Sequence, residues 1–439
     1  MRISVWNLIL LSDLIMKKFL PLIPIALLAS CSDNATTPSL SPAGISVSLP
    51  EGIESADLRD AAVTFYNISS GESTEVSMTD PLHISASVTP GFYNLTYTAT
   101  VTLENGVDAT VKGQLTGVTI SPAGASYTLS TFASVPTDDL IISEIFFTGT
   151  LQTSGNQYNG DQYIKLYNNT DHVIYADGLT IFESLFLTTQ KFNYTPDIIN
   201  TDVSVKALYT IPGSGTDVPV QPGGELLIAD IAIDHREINS NSFDLSHADF
   251  EWYDQSSTPS FTDIDNPLVP NLDKWYCYTL STWQLHNRGL VAFGIARIGV
   301  DKDEYLANYR YTTEYDQTTV AGTFPMTKTA YRIPNEWVVD IVNCSVEASY
   351  VWNVCAPSLD MGWTHCGEVD NDKKRYFHAV RRKAYEVTDE GYPVLYDTNN
   401  STHDFNSFTT PSEIERQHTV CDADGNIAQF ETYDGIMKK

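Results

Sequence analysis

Leu95-Thr-Tyr-Thr-Ala-Thr-Val101 alternates apolar and polar side chains at every step, as a strand does when one face packs on a core and the other meets water. Similar runs stand at 45–49 (ISVSL), 62–66 (AVTFY) and 126–129 (SYTL). Turn-forming segments such as Ser69-Ser-Gly71 separate them. Short strands at this spacing predict a small antiparallel β-sandwich over residues 45–134.

A second strand-rich segment follows Ser134-Val-Pro-Thr-Asp138 and occupies residues 139–439. It opens with Leu140–Phe147 (LIISEIFF) and continues with Gln162–Thr170 (QYIKLYNNT). Helical periodicity is scarce and is limited to short pieces near 301–307 and 411–417. The sequence therefore predicts a mainly-β fold of two β-sandwich domains in tandem, with minor helix.

Two family resemblances refine this expectation. The 45–134 segment, through Pro90-Gly-Phe-Tyr-Asn-Leu-Thr-Tyr97, resembles transthyretin-like and carboxypeptidase-regulatory-like modules. The 139–439 segment resembles the lamin-tail immunoglobulin-like domain, with its ISEI strand at 142–145, its YIKLYN strand at 163–168 and an Asp/Asn-rich end at Asp397–Phe405. Lys165 stands where that family commonly carries Glu. The second resemblance implies that residues from about 231 to 337 are an insertion.

The start of the chain carries an export signal. Met16–Cys31 reads MKKFLPLIPIALLASC, with a basic start, a short apolar run and small residues before the cysteine. The apolar run is too short to span a bilayer. This segment resembles a bacterial lipoprotein leader, which implies a signal peptide over residues 1–30 and lipidation at Cys31. A Thr/Pro/Ser/Ala-rich tether is expected over residues 31–44.

Composition limits the partners that the protein can have. The 439 residues include 25 Lys and Arg against 55 Asp and Glu, which gives a formal net charge of −30. A field of this sign repels phosphate backbones, so we expect no nucleic-acid partner. After the leader, no stretch approaches the length of apolar sequence that spans a membrane. The membrane contact is therefore expected through the lipid on Cys31.

As a whole, the mature chain resembles an uncharacterised domain-of-unknown-function family of Bacteroidetes-type surface lipoproteins. The resemblance implies an exported protein that is anchored to the outer membrane and exposed at the cell surface. It supplies no activity.

Five cysteines follow the leader: Cys277, Cys344, Cys355, Cys366 and Cys421. An exported protein can form disulfides, but five thiols cannot all pair within one chain. The even spacing of Cys344, Cys355 and Cys366 allows one bridge among them. The chain has no CxxC motif or Cys/His ladder that would indicate structural zinc.

Two segments carry candidate metal ligands. The first segment, at the start of the expected insertion, holds six candidate ligands: Asp230, Asp234, His235, His247, Asp249 and Glu251. Imidazole and carboxylate together suit zinc, iron or manganese, although a solvated acidic loop explains the same residues. The loop Asp397–Asp404, with Asn399, is rich in oxygen ligands and is the candidate calcium site. Turn chemistry is the alternative there, as it is for Asp422 and Asp424.

Aromatic residues crowd the expected insertion. They are Phe250, Trp252, Tyr253, Trp275, Tyr276, Tyr278 and Trp283. Exposed aromatic faces stack on ligands and supply binding hot spots, whereas buried ones form core. Because inserted loops lie at the surface, we expect Trp252, Tyr253, Trp275 or Trp283 to contribute to a ligand or partner surface.

The chain carries no Gly-x-Ser-x-Gly elbow, no HExxH and no phosphate-binding glycine loop, so an enzyme is not expected. The favoured function is a surface lipoprotein that binds a ligand or assists an outer-membrane transporter in nutrient uptake. A structural adhesin or pilus-type component is the alternative. A metal-dependent hydrolase that uses the His/Asp segment is the second alternative.

Overall fold

A computed structural model describes residues 39–50, 53–77, 80–103, 108–134, 137–433 and 436–437. The expected signal peptide at 1–30, Cys31 and most of the expected tether lie outside the described residues. Among the helices in the described ranges, none is long and apolar enough to cross a bilayer.

The N-terminal part consists of seven strands. They are β1 (Ser41–Ser48), β2 (Arg59–Asn67), β3 (Ser73–Ser77), β4 (His83–Val88), β5 (Gly91–Thr102), β6 (Asp108–Ile120) and β7 (Ala125–Ser134). Their order in the sheet is β3-β2-β5-β6-β7-β1-β4. Strand β1 begins at Ser41, so the last residues of the expected tether at 31–44 belong to the folded part.

Strand β7 joins the two halves of this sheet. Its first residues pair with β1 in parallel, and its last residues, from Thr131 to Ser134, pair with β6 in antiparallel fashion. The alternation noted in the sequence becomes alternating burial, since Tyr93, Leu95 and Tyr97 of β5 lie in the core while the residues between them face outward. One face of every long strand is therefore committed to a shared hydrophobic core.

The C-terminal part contains many more strands, and two sheets dominate it. Its strands are β8 (Leu140–Phe146), β9 (Thr150–Leu151), β10 (Gln157–Tyr158), β11 (Tyr163–Asn168), β12 (Ile174–Tyr175), β13 (Leu179–Ser184), β14 (Asp202–Thr210), β15 (Pro219–Val220), β16 (Glu225–Ala229), β17 (Phe250–Glu251), β18 (Asp273–Cys277), β19 (Ala292–Arg297), β20 (Arg310–Thr319), β21 (Gly322–Pro334), β22 (Val338–Ser345), β23 (Thr364–His365), β24 (Ala379–Arg382), β25 (Ala384–Val387), β26 (Pro393–Leu395), β27 (Phe405–Thr409), β28 (Thr432–Tyr433) and β29 (Ile436–Met437). The α-helices are α1 (Lys302–Asn308), α2 (Ser401–Asp404) and α3 (Ser412–Gln417).

The two large sheets form a sandwich. One has the order β17-β16-β11-β8-β24-β27, and the other runs β20-β21-β14-β13-β19-β22-β23, with β18 also paired to β14. Side chains from both sheets meet in one core that includes Ile142, Ile164, Ile181 and Phe293. Further clusters cover the outer faces of the sheets. Strands β8, β11 and β13 are consequently buried on both faces, which explains why their sequences lack alternation.

The segment from 231 to 337 differs from the surface insertion that the lamin-tail resemblance implied. Strand β19 lies inside this segment and is a central strand, paired with β13 on one side and β22 on the other. Only its loops and the β20–β21 hairpin, whose tip at Val320 is fully exposed, project from the sandwich. The mainly-β prediction with minor helix is confirmed.

The bridge that the cysteine spacing allowed does not form. Each of the five cysteines in the described part of the chain is a free thiol. Cys344 and Cys366 lie in the central core, whereas Cys355 packs in a different cluster and accepts a hydrogen bond from Asn343 Nδ2. Because Cys355 packs in a different cluster from Cys344 and Cys366, even spacing along the chain does not bring all three thiols together.

Candidate functional site

A cleft of about 510 Å³ lies between the N-terminal sheet and the C-terminal sandwich. This interdomain cleft falls within the range of about 300–1,000 Å³ that is typical of small-molecule sites. Its lining comprises Tyr66, Asn94, Thr96, Gln114, Thr116, Glu347, Tyr350, Met361, Gly362, Trp363, Thr364, His365, Asn400, Thr402, Phe405 and Ser407. Both of its walls belong to the unit formed by Leu40–Lys439.

The N-terminal wall of the cleft is the outer face of β2, β5 and β6. Tyr66 on β2 is paired with Asn94 on β5, and Thr96 on β5 is paired with Gln114 on β6. Because strand residues alternate between faces, the inward side chains of Phe65 and its neighbours fix these residues on the outer face. Tyr66 is 42% exposed. The wall is therefore a rigid sheet surface that carries one aromatic ring among amides and hydroxyls.

The C-terminal wall carries a row of rings. Tyr350 stacks on Trp363 with 4.7 Å between ring centroids and 13° between ring planes. Trp363 then contacts His365, whose ring centroid lies 5.5 Å away. The Tyr350 hydroxyl donates to Asn353 Oδ1, which orients that ring. The stacking orders the rings before any ligand arrives.

Asp360 holds the loops behind this row of rings. Its carboxylate is fully buried and accepts hydrogen bonds from Asn343, Gly362 and Ser401. Burial raises the pKa of this carboxyl above its ordinary value. Gly362 is required where the loop passes α2, because a Cβ there would lie 2.1 Å from Asn400 Oδ1. Asp360 is thus a positioning residue that joins β22, the 360–365 segment and α2.

Two hydrogen bonds join the N-terminal part to the C-terminal part beside the cleft. Lys112 Nζ on β6 donates to the Thr398 carbonyl oxygen, and the Thr137 amide donates to Asp397 Oδ2. The Thr402 hydroxyl bonds the backbone of Trp363 at both its amide and its carbonyl. These contacts make the cleft a largely preformed site rather than a gap between independent parts.

The floor of the cleft contains two buried polar atoms that are unsatisfied. Thr364 Oγ1 and His365 Nδ1 have no hydrogen-bond partner among the residues that the structure describes. Such atoms are uncommon, because an unmade buried hydrogen bond costs about 1–3 kcal/mol. Their presence on consecutive residues marks this floor as a place where packing has not been optimised for stability alone.

The aromatic residues expected at the surface divide into core and partly buried groups. Trp252 and Trp283 are buried, at 0% and 1% exposure, so their assignment to a ligand surface is wrong. Trp283 stacks on Tyr209 at 4.9 Å and donates from Nε1 to Glu183. Trp252 packs against Trp283 and donates to its carbonyl oxygen. The segment that contains them is part of the sandwich core, which is why large side chains gather there.

The other two candidate aromatics are half-buried. Trp275 packs against Tyr305 of α1 in the cluster on the outer face of the larger sheet. Tyr253 lies two residues beyond the end of β17. Neither residue lines the interdomain cleft. A role in a ligand surface therefore remains a prediction for Tyr253 and Trp275 alone among the four candidate aromatics.

The histidines of the first metal candidate are committed elsewhere. His235 is fully buried, with Nδ1 bonded to the Tyr158 hydroxyl and Nε2 to the Ile231 carbonyl oxygen. Burial lowers its pKa to about 4, so the ring is neutral and both of its nitrogens are occupied. His247 instead pairs with Glu413 at 3.3 Å. The two imidazoles therefore do not converge on one site.

The carboxylates of that candidate serve the backbone. Asp249 accepts from the Leu227 amide, and Glu251 accepts from the amides of Ala232 and Asn266. Asp234 accepts from Arg236 and caps a short 3₁₀ helix. Asp230 is buried, and burial raises the pKa of its carboxyl group. Within the described ranges, no three His, Cys, Asp or Glu side chains group in a way that could hold a metal ion.

The candidate calcium loop is organised by a guanidinium group. Arg382 is 2% exposed at its side chain and faces Asp340, Asp397 and Asp404. Asp404 also accepts from the Thr398 amide and hydroxyl, and Asn399 Nδ2 donates to the Ser358 carbonyl oxygen. The positive charge expected from calcium is thus supplied by the protein itself, so the assignment of Asp397, Asn399 and Asp404 as metal ligands is wrong.

The second candidate calcium ligands, Asp422 and Asp424, are explained by a turn. Asp422 Oδ1 accepts from the amides of Asp424 and Asn426, which is turn chemistry.

A second cleft, of about 490 Å³, is lined by Arg381, Arg382 and Lys383. Its arginines are already neutralised, since Arg381 pairs with Glu415 at 2.7 Å and Arg382 with the three aspartates. It therefore offers little free positive charge for an anionic ligand.

Sequence reasoning missed the residues of the interdomain cleft. Tyr66 on β2 and Trp363, which lies just before β23, are separated by almost 300 positions, and the local pattern around each indicates only which residues are buried. The local signal that was available is the ring-x-ring spacing of Trp363 and His365 between two glycines, which places both rings on one side of an extended segment.

Comparison with known proteins identifies a domain but no activity. Residues 221–412 match the family model described as "Protein of unknown function (DUF4876)". The chain is similar to the crystal structure of a DUF4876 family protein from Bacteroides thetaiotaomicron, with a TM-score of 0.51 and 21% sequence identity over 84% of this chain and 95% of that one. At this level of identity the likeness shows a shared fold. No curated protein matches the chain.

Proposed function

We propose that the protein is a binding module, anchored by lipid on Cys31 at the outer membrane, that captures a small ligand in the interdomain cleft. The observation that carries this proposal is the cleft itself, in which a sheet face with an exposed Tyr66 opposes the row of rings formed by Tyr350, Trp363 and His365. A preformed concave site with aromatic and hydrogen-bonding groups is the usual form of a ligand site.

The leader supports the location in this proposal. The sequence at 16–31 has the basic, apolar and small-residue parts of a lipoprotein signal, and the chain after it begins with a Thr/Pro/Ser/Ala-rich segment. A protein held near the membrane in this way can pass its ligand to an outer-membrane transporter, which is the partner that we propose.

The geometry favours binding over catalysis at this site. The described residues that line the cleft include one carboxylate, Glu347, and one imidazole, His365. His365 contacts the Trp363 ring. Among the described contacts, no hydrogen bond or ion pair joins Glu347 to His365. General acid–base chemistry needs such groups within hydrogen-bonding reach of one reacting atom.

The test is a thermal-shift screen of the purified mature chain against a library of metabolites and glycans. A ligand that binds the folded state raises the melting temperature, by an amount that grows with the ratio of its concentration to its Kd. Each ligand found is then tested on Tyr66→Ala and on the matched control Tyr175→Ala, because Tyr175 is 40% exposed and lies outside the cleft. We expect ligands whose shift disappears in Tyr66→Ala and persists in Tyr175→Ala. If every shift survives in Tyr66→Ala, the cleft is not the site.

A further inference from the structure

We infer that the ligand of the interdomain cleft is a neutral carbohydrate. This inference rests on the proposed function and adds the chemical class of the ligand. Three properties of the lining carry it: its hydrogen-bonding groups are mostly amides and hydroxyls, some of them uncommitted, its rings are placed on both walls, and Lys and Arg are missing from its described residues.

The first property is the character of the hydrogen-bonding groups. Amide and hydroxyl side chains line both walls, from Thr96, Gln114 and Thr116 on one side to Asn400 and Ser407 on the other. Each of these groups both donates and accepts, as the hydroxyl groups of a sugar do. In the described part of the chain, no hydrogen bond occupies the side chain of Gln114 or Ser407. A sugar can therefore bond these groups without breaking a contact of the fold.

The second property is the placement of the rings. Tyr66 lies on the N-terminal wall, and Trp363 lies on the C-terminal wall within its stacked row. The C–H face of a pyranose ring is apolar and packs on an aromatic face, while its hydroxyl groups point sideways to polar partners. A cleft lined by rings on both walls together with hydroxyl and amide groups fits this division.

The third property is charge. Among the described lining residues none is Lys or Arg, and the single carboxylate, Glu347, is exposed. The chain as a whole carries a net charge of −30. Phosphate, carboxylate or sulfate groups would enter this cleft against the field and without a partner. Purely apolar ligands would leave the amides of the walls without hydrogen bonds.

The inference is tested by isothermal titration of the mature protein with neutral hexasaccharides of glucose, mannose, xylose and galactose, and with the anionic oligomers of galacturonate and hyaluronan. We expect at least one neutral oligosaccharide to bind and the anionic ones not to bind. Tyr66→Ala and Gln114→Ala should each weaken that binding at least about tenfold, which is typical of a central contact residue.

Matched controls separate the cleft from the rest of the surface. Tyr175→Ala and Gln317→Ala remove the same side-chain types at half-exposed positions outside the cleft, so both should leave the affinity unchanged. Tyr66→Phe should retain most of the binding, because the ring remains.

The inference is overturned if no neutral oligosaccharide binds, if only the anionic oligomers bind, or if Tyr66→Ala and Gln114→Ala bind as tightly as the wild type. These outcomes differ from a failure of the proposed function. A non-carbohydrate ligand whose thermal shift depends on Tyr66 would overturn the carbohydrate inference and leave the cleft as the binding site. If no compound of any class depends on Tyr66, both are wrong.

Discussion

Replacing Arg382 with methionine should destabilise the C-terminal sandwich strongly. The guanidinium group donates to the carbonyl oxygens of Ile142 and Tyr396 and faces the carboxylates of Asp340, Asp397 and Asp404. The side chains of all three aspartates are at most 9% exposed. Methionine keeps most of the volume and removes the charge, so three buried carboxylates lose the guanidinium group that all three face.

The magnitude follows from this burial. Removing one partner of a buried ion pair costs about 3–5 kcal/mol, because the remaining charge stays buried without compensation. Burial already raises the pKa of Asp340 to about 6, against the opposing effect of Arg382. Without the guanidinium the Asp340 carboxyl group should take up a proton more readily in the folded state. A raised folded-state pKa gives stability that grows as the pH falls through it, so the deficit of Arg382→Met should shrink between pH 8 and pH 5.

The assay is urea unfolding followed by tryptophan fluorescence. Beyond Trp6 of the leader, every tryptophan lies after residue 139, so the signal reports the domain that contains Arg382. Arg288→Met is the matched control, because its pair with Asp370 is exposed and should contribute less than about 1 kcal/mol. A loss below about 1 kcal/mol in Arg382→Met would refute this reasoning. So would a wild type that melts higher with calcium than with chelator, since the loop at 397–404 would then need a metal.

Other perturbations give equally definite expectations. Burial raises the pKa of Asp161 to about 7, so the contribution of this residue to stability falls as the pH rises from about 4 to 7. Asp161→Asn should remove this pH dependence, which amounts to at most about 1.4 kcal/mol per pH unit. The measurement is the difference in unfolding free energy from the wild type in urea titrations. Trp283→Ala should cost about 3–5 kcal/mol in the same assay, whereas Tyr278→Ala, at 56% exposure, should stay within about 0.5 kcal/mol. Cys31→Ala should move the protein from the membrane to the soluble fraction on centrifugation of cell lysates, and a variant that still sediments with membranes would contradict the lipid anchor.

The N-terminal fold could be predicted because one face of its sheet meets water. Alternation along β5 identifies Tyr93, Leu95 and Tyr97 as core, and the structure buries them. The C-terminal strands β8 and β11 are covered on both faces, so their sequences indicate burial but not which elements cover them. For the same reason the sequence does not show that β19, within the 231–337 segment, is a central strand.

The candidate sites were less predictable because residue types do not specify their partners. Asp397 and Asp404 have the chemistry of calcium ligands, yet the sequence does not show that Arg382 stands between them. Trp252 and Trp283 have the chemistry of a binding surface and are core. The cleft is lined by Tyr66 and by a segment almost 300 residues away, and only the packing of the N-terminal sheet beside the C-terminal sandwich brings them to one site.

Ligand binding between Tyr66 and Trp363 is tested most directly by a crystal structure with a bound neutral oligosaccharide. We expect sugar density in the interdomain cleft, with one ring against an aromatic side chain and a hydroxyl group within hydrogen-bonding distance of the Gln114 amide. Density in the second cleft beside Arg381 and Lys383, or on the outer face of the sandwich with the interdomain cleft holding only solvent, would contradict it.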